Sequence, residues 1–271
     1  MNLGFLVLAF LAGMFGAATG GTQVFVLTGI FGIIGNILTL NGIVIPFFND
    51  IILNLILVPC ISFNGAAVAT AYASKHHNIR GIDTNRSLLF TGDYKVFISG
   101  GIGGVIGYLL LTLFTYLNLP LDIGGLVVAL VGFGVRAIFS GKFISKEKFT
   151  PSQSALINML SFQVVFAIII AFATALLVKA TGIVGFGFSL SAASLYFGFK
   201  YPSFPATHQM TMVAGYAFAQ TGDIFITVLF TIAAQLIFTV FGMKCNTDLG
   251  THIDPPAIAI AALSFIIFVF F

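Results

Sequence analysis

The 271-residue chain is 59% hydrophobic and 7% charged, with a net charge of +3 and a mean hydropathy of +1.11. A soluble domain of this length carries about a quarter charged residues. A sizeable soluble domain is therefore excluded, and the chain reads as an all-α integral membrane protein.

Apolar runs near bilayer length are expected at 3–19, 24–41, 52–73, 94–116, 123–140, 154–178, 184–199, 202–220, 222–243 and 254–271. That makes about ten transmembrane helices, five on each side of a junction near 141–153. Several are short, 184–199 most of all, and the 30 glycines and eight prolines favour tilted, broken or re-entrant segments. The first run precedes the small residues GAATGG, as a signal peptide would. Residues 1–9 hold no Lys or Arg, which such a peptide needs, so 3–19 is expected to stay as a helix. TLNGIVIPFFND (39–50) suits an outer hairpin or half-helix. KHHNIRGIDTNRSLLF (75–90) is the longest polar loop, and GKFISKEKFTPSQS (141–154) joins the halves; both are basic and suit anionic lipid headgroups. His76-His77 lacks a Cys or carboxylate at ligand spacing, so an interfacial role is expected and no metal. Cys60 and Cys245 fall in distant segments and read as packing residues, not a disulfide.

Four motifs recur in order. Ala9-Phe10 to Ala18-Thr19-Gly20 is matched by Ala171-Phe172 to Ala180-Thr181-Gly182. Ala71-Tyr72-Ala73 is matched by Gly215-Tyr216-Ala217, and Thr91-Gly92-Asp93 by Thr221-Gly222-Asp223. Asp122 in LPLDIGG is matched by Asp254 in THIDPPA. The expected organisation is a first membrane repeat at 1–140, a basic cytoplasmic linker at 141–153 and a second membrane repeat at 154–271, together one membrane domain. Five spans per repeat is an odd number, so the second repeat enters the bilayer from the opposite side and the topology is inverted. With ten spans, Lys75, Arg80, Arg86, Lys95, Arg136, Lys142, Lys146, Lys148, Lys200 and Lys244 share one face, and Lys179 lies at the other. The positive-inside rule makes the first face cytoplasmic. The protein is then expected in the cell (inner or plasma) membrane with both termini extracytoplasmic.

Asp93, Asp122, Asp223 and Asp254 each stand at a helix start, where Asp is a favoured N-cap; Pro255 at the first helical position strengthens that assignment. Inverted topology would also group Asp93 and Asp254 with Arg136 and His252 at the cytoplasmic face, and Asp122 and Asp223 with Lys179 at the outer face. Such groups are candidates for gates or coupling. Aligning Tyr72 with Tyr216 brings Asn64 opposite His208 and Gly65 opposite Gln209. Asn64 would lie about 13 Å from the cytoplasmic end of its span, near mid-membrane, and His208 at a similar depth. Asn64, His208 and Gln209 are the candidate substrate-binding residues, with interhelical hydrogen bonding as the alternative role. GGIGGVIG (100–107) suits close helix packing, having no strand–helix context for nucleotide binding. No nucleophile–base pair, zinc signature or phosphate loop points to an enzyme or a cofactor.

The opening AFLAGMFGAATGG (9–21), GFGFSLSAASLYF (185–197) and above all THIDPPAIAIA (251–261) resemble a family of multi-pass prokaryotic membrane proteins of unknown function. That resemblance implies architecture but no activity. The second half is more loosely similar to the His-Pro-Pro (HPP) transmembrane family, some members of which are linked to nitrite transport: FPATHQ (204–209) precedes Asp254-Pro255-Pro256-Ala257. The His of that motif is replaced by Asp254, with His252 displaced by two, and nitrite is not carried over. The expected function is a secondary transporter or permease moving a small solute by alternating access, with a passive channel or a non-transporting scaffold as alternatives. Expected partners are membrane lipids and a small-molecule or ion substrate. Nucleic acid is excluded, and a homo-oligomer is left open.

Overall fold

A computed structural model describes residues 3–144, 153–201, 203–246 and 249–271, with no side-chain description at 153–157. Among these residues there are ten α-helices: α1 (Leu3–Thr19), α2 (Gly21–Leu40), α3 (Pro59–His76), α4 (Tyr94–Tyr116), α5 (Ile123–Phe139), α6 (Gln153–Thr181), α7 (Phe186–Ser194), α8 (His208–Thr221), α9 (Ile224–Cys245) and α10 (Pro255–Phe270). Their order and bounds follow the expected spans, with two departures. The run expected at 52–73 is split into a π-helix, Phe47–Ile56, and α3. Pro59 causes the break: it removes an amide and pushes Val58 into the extended region, at φ −62°, ψ 128°. The run expected at 202–220 becomes helical only at His208, after a non-helical stretch containing Pro205.

Five segments are long and apolar enough to cross a membrane: Gly21–Leu40, Phe47–His76, Tyr94–Tyr116, Asn158–Thr181 and Ile224–Cys245. The outer faces agree. Phe162, Val165, Ile169, Phe172 and Leu176 form an exposed apolar stripe on α6 at helical spacing. In water such a stripe would be an aggregation surface; against lipid it is the expected exterior. This is a membrane protein.

Small residues form much of the interior. Gly13 on α1, Gly65 on α3 and Gly100 and Gly104 on α4 meet so closely that a Cβ on any of them would strike a neighbouring backbone. Gly16 faces the Ser62 carbonyl, and Gly107 that of Cys60, in the same way. Without a hydrophobic drive between helices in lipid, such close approach supplies the van der Waals contact that holds them together.

The packing pattern of the first five helices recurs in the last five. Helices α1, α3 and α4 pack mutually, as do α6, α8 and α9; α2 lies on α3 as α7 lies on α8, and α5 touches α3 and α4 as α10 touches α8 and α9. Across the halves, α2 packs on α7 and α5 on α10. Local structure recurs too. Gly92 and Gly222 take left-handed φ of 59° and 65°, which glycine adopts without steric penalty. Each follows a Thr whose hydroxyl accepts from the next Asp amide, at 3.3 Å from Asp93 and 3.1 Å from Asp223.

Candidate functional site

Between the two sets of five helices lies a cavity of about 830 Å³, within the size range of small-molecule sites. Its wall draws on both halves. Val58, Pro59, Cys60 and Phe63 come from the start of α3, and Asp122, Gly124 and Gly125 from the start of α5. Ala206, His208 and Met212 come from the start of α8, and Asp254, Pro255, Pro256 and Ala257 from the start of α10. These four helix N-termini, two per half, open on one space, which Thr22 of α2 and Phe188 of α7 also border. Each of the four brings first-turn amides and the positive end of a helix dipole.

Two of the four are capped by carboxylates. Asp122 Oδ1 accepts from the Gly125 amide, and its Oδ2 accepts from the Tyr216 hydroxyl. Asp254 Oδ2 accepts from the Ala257 amide at 2.9 Å, and its Oδ1 lies 3.3 Å from His252 Nε2. Such caps stabilise a helix by about 1 kcal/mol each. Helices α5 and α10 run antiparallel. The Asp122 amide donates to Ser264 Oγ at 2.7 Å, and a Cβ on Gly132 would stand 3.9 Å from the Asp254 nitrogen. Each aspartate thus lies beside the residue ten positions after the other, level with the middle of the partner helix. At 1.5 Å per residue, the two carboxylates are separated by roughly 15 Å along the axis.

The other two N-termini have no side-chain cap. In α3 the Ile61 and Ser62 amides turn back to the Val58 carbonyl, and Pro59 has none, which leaves Cys60. In α8 the Thr207 hydroxyl donates to Ser191 Oγ at 2.9 Å and does not cap. The amides of His208, Gln209 and Met210 have no acceptor among the described residues; the first backbone bond of α8 is from Thr211 to the Thr207 carbonyl, at 3.0 Å. His208 is 7% exposed, and its Nδ1 is buried without a partner. Its ring sits 4.8 Å from the Phe25 ring and 6.2 Å from that of Phe188.

Of the candidate substrate residues, then, the cavity wall includes His208 but neither Asn64 nor Gln209. The expectation that Asn64 and His208 face each other is corrected. Asn64 is buried on the side of α3 packed against Gly103 of α4, and its Nδ2 donates to the Cys60 carbonyl at 2.8 Å. One turn of helix separates it from the cavity-facing Cys60, and an i to i−4 bond satisfies its donor. Gln209, one residue on from His208, points away to Gln235 Oε1 at 2.9 Å and the Ala206 carbonyl at 3.0 Å.

The expected acid–base groupings are corrected as well. Asp254 meets His252, but Arg136 pairs with no carboxylate among the described residues. Fully buried, it donates through Nε to Thr251 Oγ1 at 2.6 Å, through Nη2 to the Cys245 carbonyl at 2.6 Å and the Thr251 carbonyl at 2.5 Å, and through Nη1 to the Lys142 carbonyl at 3.2 Å. Four acceptors at a helix end satisfy the guanidinium as a carboxylate would. Asp93 caps α4 through the Lys95 amide, at 2.9 Å, and lies 3.2 Å from His77 Nε2. That amide first and His77 second hold the Asp93 carboxyl below its ordinary value. The His76 ring lies tilted against that of Tyr72, at 4.5 Å between centroids. Asp223 is an exposed cap for the Phe225 and Ile226 amides, and Lys179 is exposed in the last turn of α6; the two do not join Asp122. Among the described residues no cluster of His, Cys, Asp and Glu could hold a metal. Of the linker, 145–152 lie outside the described residues, Lys146 and Lys148 with them.

A family model described as a family of unknown function, DUF7973, matches residues 1–165. The chain belongs to that family. The match runs from α1 into α6 and ends before Thr251–Ala261, so it carries neither the THIDPPA segment nor the His-Pro-Pro likeness. No curated protein and no solved structure matches the chain.

Three residues at the site were not singled out as functional from the sequence. Tyr216 served only to align the halves, yet it bonds Asp122 across them. Ser264 lies in an apolar run and carries no pattern of its own. Thr251 stands in the THIDPPA segment, which was read for its resemblance, His252 and the helix start, none of which marks Thr251 itself.

Proposed function

We propose that this protein is a secondary transporter for a small solute, built from two inverted five-helix repeats with the binding site in the cavity between them. The observation that carries this is the cavity wall itself: the starts of two helices from each half, α3 with α5 and α8 with α10, around one space. The recurrence of helix packing between the halves supports common structure. The antiparallel crossing of α5 and α10, with each capping aspartate level with the other helix's middle, is what a two-fold axis in the membrane plane would produce. Asp122 and Asp254 then mark the two ends of the pathway, with His208 between them as a solute contact. Segregation of basic residues in the sequence supports an orientation with the loop 75–90 and the linker in the cytoplasm and both termini outside. A scaffold has no use for a cavity of this size with a buried histidine in its wall.

The test is accessibility from two sides. Met212, one turn after His208, is half-buried in the cavity wall. Met212→Cys, in a Cys60→Ala, Cys245→Ala background, should react with a membrane-impermeant maleimide in both right-side-out and inverted vesicles. Reaction from neither side would refute the transport reading. Reaction from both sides, with only downhill flux in liposomes, would make the protein a channel.

A further inference from the structure

The unmet hydrogen-bonding capacity at the start of α8 says what kind of solute the cavity suits. Three successive main-chain amides, at His208, Gln209 and Met210, have no acceptor among the described residues. First-turn amides point back along the helix axis past its N-cap, and the residues on either side of that N-cap, Ala206 and His208, both line the cavity. His208 is an independent second sign: it is more than nine-tenths buried, and Nδ1 has no partner. A buried polar atom is seldom left so without a reason. Donors concentrated at the positive end of a dipole call for an acceptor with negative charge.

We propose that the cavity binds a small organic anion, with a singly charged oxyanion head such as a carboxylate against the first turn of α8 and His208, and an apolar body in the remaining space. This rests on the reading of the cavity as the transport site. The size and surface of the cavity argue for the apolar body. An inorganic oxyanion would fill a small part of 830 Å³ and leave the cavity faces of Phe25, Phe63, Phe188 and Phe238 uncovered. Two aspartates also stand in the wall, each fixed at the start of its own helix. Asp122 is engaged by the Gly125 amide and the Tyr216 hydroxyl, and Asp254 by the Ala257 amide and His252. Each carboxylate offsets the positive end of its own helix, while the start of α8 has no side-chain cap and keeps its donors.

Three probes of one shape separate the alternatives: benzoate, benzamide and benzylamine. Each is added to purified Met212→Cys protein, in the background lacking Cys60 and Cys245, and the rate of maleimide modification is followed. Benzoate should slow modification at least fivefold, and the other two less than twofold. Adding His208→Ala should remove at least three-quarters of the benzoate effect. Because that variant can lose fold, its unfolding midpoint is measured on the same preparation, and the probe ranking in intact His208 protein stands without it. Protection by benzylamine would overturn the proposal in favour of a cation site. Equal protection by benzamide and benzoate would overturn the role of charge. If none of the three protects while the Met212→Cys thiol still reacts from both faces, the anion proposal falls and the transport reading survives.

Discussion

At one end of the cavity Asp122 accepts a hydrogen bond from Tyr216 on the opposite half. At the other end Asp254 is met by His252, two residues before it on its own loop. Tyr72, the residue that aligns with Tyr216, is turned to His76 instead. The contrast extends to the far ends of the two helices. Fourteen residues after Asp254 stands Phe268, whose ring packs edge-on against Tyr216 at 4.9 Å. Fourteen residues after Asp122 stands Arg136, which ties α5 to the Cys245 and Thr251 carbonyls and the Thr251 hydroxyl, and donates a fourth bond to the Lys142 carbonyl. Related frameworks therefore end in different fastenings. The Asp254 end is held by a guanidinium bonded to three main-chain carbonyls and the Thr251 hydroxyl, while at the Asp122 end two side-chain hydroxyls, those of Tyr216 and Ser264, reach across the halves to the aspartate. The Asp122 end, with no charged donor across the halves among the described residues, is expected to be the weaker fastening.

The largest expected effect follows from Arg136. Arg136→Met keeps length and apolar contact but leaves the Cys245 and Thr251 carbonyls without their buried donor. The loss should be about 3 kcal/mol or more, read as a fall in the unfolding midpoint in detergent. Arg136→Lys should recover little, because a compact ammonium cannot span acceptors arranged for a planar fork. A midpoint unchanged in Arg136→Met would mean that the Asp254 end is not held as described, and the contrast between the ends would fail.

A smaller effect is expected at the other end. Tyr216→Phe removes one hydrogen bond to a carboxylate and keeps the ring packing on Phe268. Stability should fall by about 1.5 kcal/mol, and maleimide labelling of Met212→Cys should rise from the side of the membrane nearer Asp122. A rise from the Asp254 side, or none, would show that Tyr216 is not the fastening that limits access there.

Much of this framework was legible in the sequence because membrane helices leave long apolar runs, and because capping requires Asp after a turn. Thr91-Gly92-Asp93 and Thr221-Gly222-Asp223 share a local conformation for a reason visible in their letters: a left-handed glycine followed by an N-cap. His208, singled out from a Pro-interrupted polar segment, does line the cavity. Direction around a helix was not legible. Asn64 and Cys60 stand one turn apart on an almost wholly buried helix, with no polar face to say which side meets the cavity. Arg136 was misjudged for a related reason. Charge suggested a carboxylate partner, while the acceptors it uses are main-chain carbonyls, which every residue carries and no motif marks. The break before α8 hid in the same way, since Pro205 announces an interruption but not where the helix resumes.

The smallest effect concerns the loop 77–93, which rests on the Asp254 end where Gly81 packs against the Gly250 carbonyl. Asp93 ties that loop to α4 through the Lys95 amide and His77, and these hold its carboxyl below the ordinary value of 3.8. A carboxyl lowered in the folded state contributes stability that is fully present above its unfolded value. That contribution is lost as pH falls through the folded value. The cap should therefore be intact at neutral pH and weaken only below about pH 4. Hydrogen exchange at the amides of Lys95 and Val96, corrected for its intrinsic pH dependence, should quicken there. In Asp93→Asn, whose amide oxygen still caps but does not titrate, that change should disappear. The Asp122 end has no equivalent loop resting on it through a half-buried His–Asp contact among the described residues, so labelling of Met212→Cys from that side should not change over the same range. A shift there of the same size would mean that acid loosens the bundle as a whole and not the Asp254 end through Asp93.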